Sequence, residues 1–190
     1  MRIQNFTAVL LMACCATLFS PVVFADSKQN QERADIQSQV DKTLAKLYQQ
    51  QPKSKAVLAN AAGYAVFNQF GMKILVAGGG SGKGYAFNNK TKKKTYMKMA
   101  EVQAGLGVGV KKSALVWVFE SEKALNTFVN SGWELGAQSN ATLVSSGKGL
   151  ALEGALSVSP GVWIYQMTED GLSLELTVKG TKYYKDTSLN

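Results

Sequence analysis

Tyr64-Ala65-Val66-Phe67-Asn68-Gln69-Phe70, followed by the glycine-rich run Gly78-Gly79-Gly80-Ser81-Gly82-Lys83-Gly84, decides how this 190-residue chain folds. The first stretch is short, apolar and aromatic, and it lies between Gly63 and Gly71, so it reads as a strand. Further β-rich runs follow at residues 74–79, 84–87, 95–99 and 102–110, separated by glycine, lysine and the turn pair Asn88-Asn89. The glycine run itself reads as a bulged corner between two strands. In Ala104-Gly105-Leu106-Gly107-Val108-Gly109-Val110 glycine alternates with apolar residues. A strand there puts its three glycines on one face, where backbone can approach closely.

On the N-terminal side the texture is helical. Ile36, Val40, Leu44 and Leu47 recur at spacings of four, four and three, which predicts a helix over about residues 27–50. Pro52 stops it, and a shorter helix is expected over 55–61. On the C-terminal side, residues 114–119 form a continuous apolar run, the pattern of a strand buried on both faces. A helix follows, with Ser121 as N-cap, Ala124, Leu125, Phe128 and Val129 as its buried face, and Gly132 at its end. Strands are then expected at 142–144, 150–158, 162–167 and 172–178, with Thr168-Glu169-Asp170-Gly171 as a hairpin connection. The links are mostly too short for crossover helices. The expected fold class is therefore α+β, an N-terminal helix packed on a largely antiparallel, barrel-like β-sheet with one inserted helix.

Residues 1–25 carry one charge, Arg2, then an apolar stretch and the small-residue site Val23-Phe24-Ala25. This is the anatomy of a signal peptide, with cleavage near Ala25 and a periplasmic or secreted product. A second reading makes the chain a lipoprotein acylated at Cys14, since Leu11-Met12-Ala13-Cys14 loosely resembles a lipobox. Cleavage at Ala25 removes both cysteines and leaves no thiol for a disulfide. The organisation expected is 1–25 signal peptide, 26–56 helical segment and 57–190 β-rich domain.

The formal net charge is +8, and +7 once Arg2 is removed. Residues 71–112 hold nine lysines against Glu101 alone, whereas residues 113–178 hold seven acids against Lys123 and Lys148. Such asymmetry suits an anionic partner. The strongest feature is Lys90-Thr91-Lys92-Lys93-Lys94, a solvated hairpin tip or a head-group contact. Each lysine beside an anionic bilayer contributes about 1 kcal/mol, so several can hold a protein there at low salt. Export makes nucleic acid an improbable partner for the same charge.

Chemistry is constrained by what is missing. The chain has no histidine, which removes His-based triads, general bases and metal sites, and cleavage removes thiolate chemistry too. Ser81 and Lys83 remain as a nominal nucleophile and base, which keeps an unrecognised hydrolase as a remote alternative. The glycine run fails the phosphate-loop template twice, because Ala77 stands at its first glycine and Gly84 at its hydroxyl position. No cofactor and no metal are expected.

Three groups of residues resemble the SYLF domain family: Ala61-Ala62-Gly63-Tyr64-Ala65-Val66-Phe67 with Gly78 to Gly82, the alternation Gly105-Leu106-Gly107-Val108-Gly109, and Gly171-Leu172-Ser173-Leu174-Glu175-Leu176. Residues 128–136 look like the family's helix end and leucine-glycine-alanine stretch, and the resemblance covers about 57–184. It implies a binding module, since animal and fungal members bind phosphoinositides and in some cases actin, while bacterial members are exported. An exported chain meets neither of those ligands, so anionic phospholipid or a membrane surface is the expected partner. The lysine patch is argued from this chain alone, because many members carry fewer lysines there. The expected function is non-enzymatic lipid binding in the cell envelope, with Lys83, Lys90, Lys92, Lys93 and Lys94 as head-group contacts. The alternative is an envelope interaction or structural module that binds another protein through the Ile36–Leu47 helix.

Overall fold

The computed structural model describes residues 22–74, 77–104, 109–135, 154–168, 171–173 and 180–190. The first helix, α1, is Val22–Gln50, so the last residues of the expected signal peptide lie at its start and residues 1–21 fall outside the described part. Ile36, Val40, Leu44 and Leu47 are all buried, as their spacing predicts. Ser54–Asn60 forms α2, across the division drawn between 56 and 57, and the Ser54 hydroxyl donates to the Gln51 carbonyl at 2.6 Å.

Four long strands follow: β1 Gly63–Ile74, β2 Ala77–Asn88, β3 Lys94–Ala104 and β4 Gly109–Phe119. After α3, Glu122–Ser131, come β5 Trp133–Leu135, β6 Leu156–Ser159, β7 Val162–Thr168, β8 Gly171–Ser173 and β9 Thr181–Lys185. The sheet order is β5-β9-β3-β2-β1-β4-β7-β6, with β8 also on β7, and every pairing is antiparallel. The sheet curls into a half-barrel, so the chain is α+β as expected. Among the described residues, β5 forms one edge and β6 with β8 the other.

The two faces of the sheet carry separate cores. Strand alternation sends Val66, Tyr85, Val116 and Tyr165 toward α1 and α2, and Phe67, Met97, Trp117 and Tyr183 toward α3. On the α3 side, the rings of Phe67 and Trp117 each stand 4.9 Å from that of Tyr183, near edge-to-face. The α3 reading holds in detail. Ser121 accepts from the Ala124 amide at 3.2 Å, Leu125 and Phe128 are buried, and Gly132 leaves the helix at φ 75.

Three readings need correction. The expected strand 74–79 falls on two strands, because Ile74 ends β1 and pairs with Ala77 at the start of β2, and 84–87 is not a separate strand, because β2 runs unbroken through 78–84 in continuous register with β1 and β3. There is no glycine corner: pairing on both sides satisfies the backbone of the run, so glycine does not end the strand. The expected strand 102–110 is two strands, since Ala104 pairs on β2 while Gly109 pairs on β1. A period of two on both sides of a connection looks like one strand from sequence, and residues 105–108 lie outside the described part. Two short strands, β5 and β9, escaped the sequence reading. Thr181-Lys182-Tyr183-Tyr184-Lys185 carries a strand composition that could have found the second. Strand 142–144, and parts of 150–158 and 172–178, lie outside the described residues. The hairpin at Thr168 and Gly171 agrees with the register, which pairs those two residues.

Candidate functional site

The lysine turn joins β2 to β3 and is built by two asparagines. The Asn88 side chain accepts from the amides of Lys90 and Thr91, both at 2.9 Å, and Lys92 adopts a left-handed φ of 59. Asn89 donates from Nδ2 to the carbonyls of Leu58 at 2.7 Å and Ala61 at 2.8 Å, which ties the turn to α2. The result is an ordered tip on which Lys90, Lys92 and Lys93 are exposed. Lys90 Nζ stands 3.1 Å from a Glu122 carboxylate oxygen at the start of α3.

Lys94 and Lys83 sit apart from that tip. Lys94 opens β3 with its ammonium 5.3 Å from the centre of the Tyr85 ring and 2.5 Å from Gln37 Oε1 on α1. Burial pushes the Tyr85 phenol up to about 12, with lesser contributions from its neighbours, so this platform stays neutral. Lys83 Nζ lies 2.5 Å from Glu32 Oε1, again on α1. The register pairs Phe87 with Lys94 and Lys83 with Lys98, so Lys83 stands four strand residues from the Lys94 level, about 13 Å. The structure therefore brings Lys90, Lys92, Lys93 and Lys94 to one end of the sheet and puts Lys83 elsewhere. Ser81 shares its face with Lys83, whose ammonium is engaged by Glu32.

Lys83 belongs to a second cluster. Helix α1 lies across the strands, linked in turn to β2 by Glu32, to β1 by Thr43 donating to Asn68 Oδ1 at 2.8 Å, and to β7 by Lys46 donating to the Thr168 carbonyl at 2.9 Å. Beside it runs a groove of about 680 Å³ whose walls include Lys42, Lys46, Lys83 and Lys112 and, among the described residues, no carboxylate side chain. Phe70, 49% exposed, lies in this wall and pairs across the ladders with Ser81 and Lys112. The sequence reading missed Lys42 and Lys46. Gln39, Lys42, Thr43 and Lys46 recur at helical spacing beside the apolar stripe, and that pattern could have found them.

The stripe Ile36, Val40, Leu44 and Leu47 is buried against the sheet, so a partner bound through this helix would have to use its outer face, where Asp41 and Lys42 are exposed. Among the described residues there is no group of histidine, cysteine and carboxylate side chains fit to hold a metal, and no helix long and apolar enough to cross a membrane.

The helix-covered half-barrel carries, on its glycine-bearing strands, the motifs that resemble the SYLF domain. Residues 100–190 match the family model Ysc84, described as Las17-binding protein actin regulator, in line with the SYLF resemblance of the sequence. Beta cell expansion factor A of Aeromonas veronii is 35% identical over 157 residues, 83% of this chain. An alignment of that length takes in the motifs at 61–67 and 78–82, which precede the family match. The chain spans 58% of the length of that relative.

Proposed function

We propose that this protein is a non-enzymatic module that binds anionic phospholipid surfaces after export to the cell envelope. The observation that carries the reading is the ordered β2–β3 tip, where Asn88 and Asn89 hold the backbone and leave Lys90, Lys92 and Lys93 exposed side by side. The held turn backbone presents the three lysines on one surface, and three lysines contribute about 3 kcal/mol there at low salt. The family match over residues 100–190 supports a binding module. The actin-regulator description belongs to the family as a whole, and export would separate this chain from actin. Localisation rests on the signal-like residues 1–25.

The test is co-sedimentation of the purified protein with neutral and with anionic vesicles, at low and high salt. Binding to anionic vesicles alone, lost in salt and lost in the triple variant Lys92→Glu, Lys93→Glu, Lys94→Glu, supports the reading. Binding that the variant leaves unchanged removes the turn from it, and no binding to either vesicle refutes it.

A further inference from the structure

Helix α1 covers only part of its sheet face, and the uncovered remainder is amphipathic. Phe70 on β1 and Val102 on β3, 49% and 71% exposed, lie on the α1 side of the sheet. Between them the same face presents Gly79, Ser81 and Ala100, side chains too small to fill the space. The strip is therefore a shallow channel with an apolar wall on each side. Where it meets α1, its character turns cationic.

That cationic end is the groove of about 680 Å³, within the usual size range of small-molecule sites. Lys42 and Lys112 are exposed and, among the described residues, have no carboxylate partner, while Lys83 is shared with Glu32. In the floor, Asn68 Oδ1 is taken by the Thr43 hydroxyl, and Asn68 Nδ2 is buried with no acceptor. A buried donor without an acceptor is costly, and native folds normally supply one. An anionic oxygen in the groove would supply it and would meet two unpaired ammonium groups. An inorganic anion leaves the apolar strip unexplained, whereas a phosphate bearing an acyl chain uses both ends.

We infer that this groove seats one anionic phospholipid molecule, its phosphate between Lys42, Lys112 and Asn68 and its first chain carbons along the strip between Phe70 and Val102. The inference rests on the lipid-binding reading above and places a single-lipid site apart from the lysine turn. A surface bound only through Lys90–Lys93 would leave this site untouched, so the two can be separated.

The probe is dihexanoylphosphatidylglycerol below its micelle concentration, titrated into the isotope-labelled protein and followed by amide shifts. Saturable one-to-one binding, with shifts at residues 68–70, 79–83 and 112, is expected. Lys112→Glu and Phe70→Ser, both at exposed positions, should each weaken it by about tenfold or more, and Lys92→Glu with Lys93→Glu should not. A thermal melt of each variant checks its fold, and Lys42→Glu on α1 serves as a second charge reversal remote from the sheet backbone. Three results overturn the inference: no saturation, shifts centred on the lysine turn, or glycerol phosphate binding as tightly as the lipid. If the soluble lipid fails while anionic vesicles still sediment the protein, the groove falls and the surface reading stands. If vesicles fail too, both fall.

Discussion

Replacing Gly84 by alanine asks whether the glycine run in β2 exists for packing. Gly84 pairs with Phe67 on one side and Met97 on the other, in the middle of the sheet. A Cβ there would overlap the Val66 carbonyl oxygen outright and would lie 2.8 Å from the Val66 carbonyl carbon and 3.0 Å from Phe67 Cα. All three are backbone atoms of β1, so no rotamer change relieves the clash, and β1 and β2 must part. Opening two ladder bonds forfeits about 1 kcal/mol each, and a buried group left unpaired costs about 1–3 kcal/mol more, for a total of about 3–5 kcal/mol. Domains of this size have about 5–15 kcal/mol in all. Gly79 is the control. A Cβ on it would meet only the Glu101 carbonyl oxygen, at an ordinary 3.4 Å, so Gly79→Ala should stay within about 0.5 kcal/mol of the parent. Urea denaturation followed by circular dichroism, with midpoints compared at constant slope, measures both. If Gly84→Ala is as stable as the parent, or Gly79→Ala is equally damaging, close strand approach is not the reason for the glycines.

Two further outcomes follow from the C-terminal clasp and from α3. Asp186 is buried, accepts from the Ser188 amide at 3.0 Å and hydroxyl at 2.6 Å, and faces Lys98 Nζ at 2.9 Å. Burial alone would raise its carboxyl, but the Ser188 donors and Lys98 outweigh this and hold it below the usual value. Its stabilisation is thus present above the ordinary carboxyl range, about pH 4, and is lost as pH falls through the lowered folded value. Asp186→Asn should cost about 2–3 kcal/mol at pH 7 and shrink the parent's loss of Tm in acid; parallel Tm-against-pH curves for the two proteins would contradict this. Ser121→Ala removes the acceptor for the Ala124 amide and should cost about 1 kcal/mol in a denaturant titration, and Ser121→Asp should largely restore it.

Local patterns were legible where one element answers to one period. The stripe Ile36, Val40, Leu44, Leu47 fixed both the existence of α1 and the face it buries, and Ser121 with Gly132 bounded α3 to within a residue. The antiparallel α+β class followed from link lengths. Legibility failed at the glycines, because glycine breaks an isolated strand but not one paired on both sides, and β2 is paired on both sides through 78–84.

The site divides in the same way. Sequence alone determined that the chain is basic, that its lysines crowd into residues 71–112, that it has no histidine, and that Asn88-Asn89 makes a lysine-bearing turn, since these depend on composition and on neighbours in the chain. Only the tertiary structure decided which lysines act together. Lys83 lies seven positions from Lys90 in the chain, yet it belongs with Lys42 of α1 and Lys112 of β4, because helix crossing and strand register set distance in space. It also decided that Phe70 stays exposed: the strand pattern marks it as apolar, but only the path of α1 across the sheet determines how far its cover reaches.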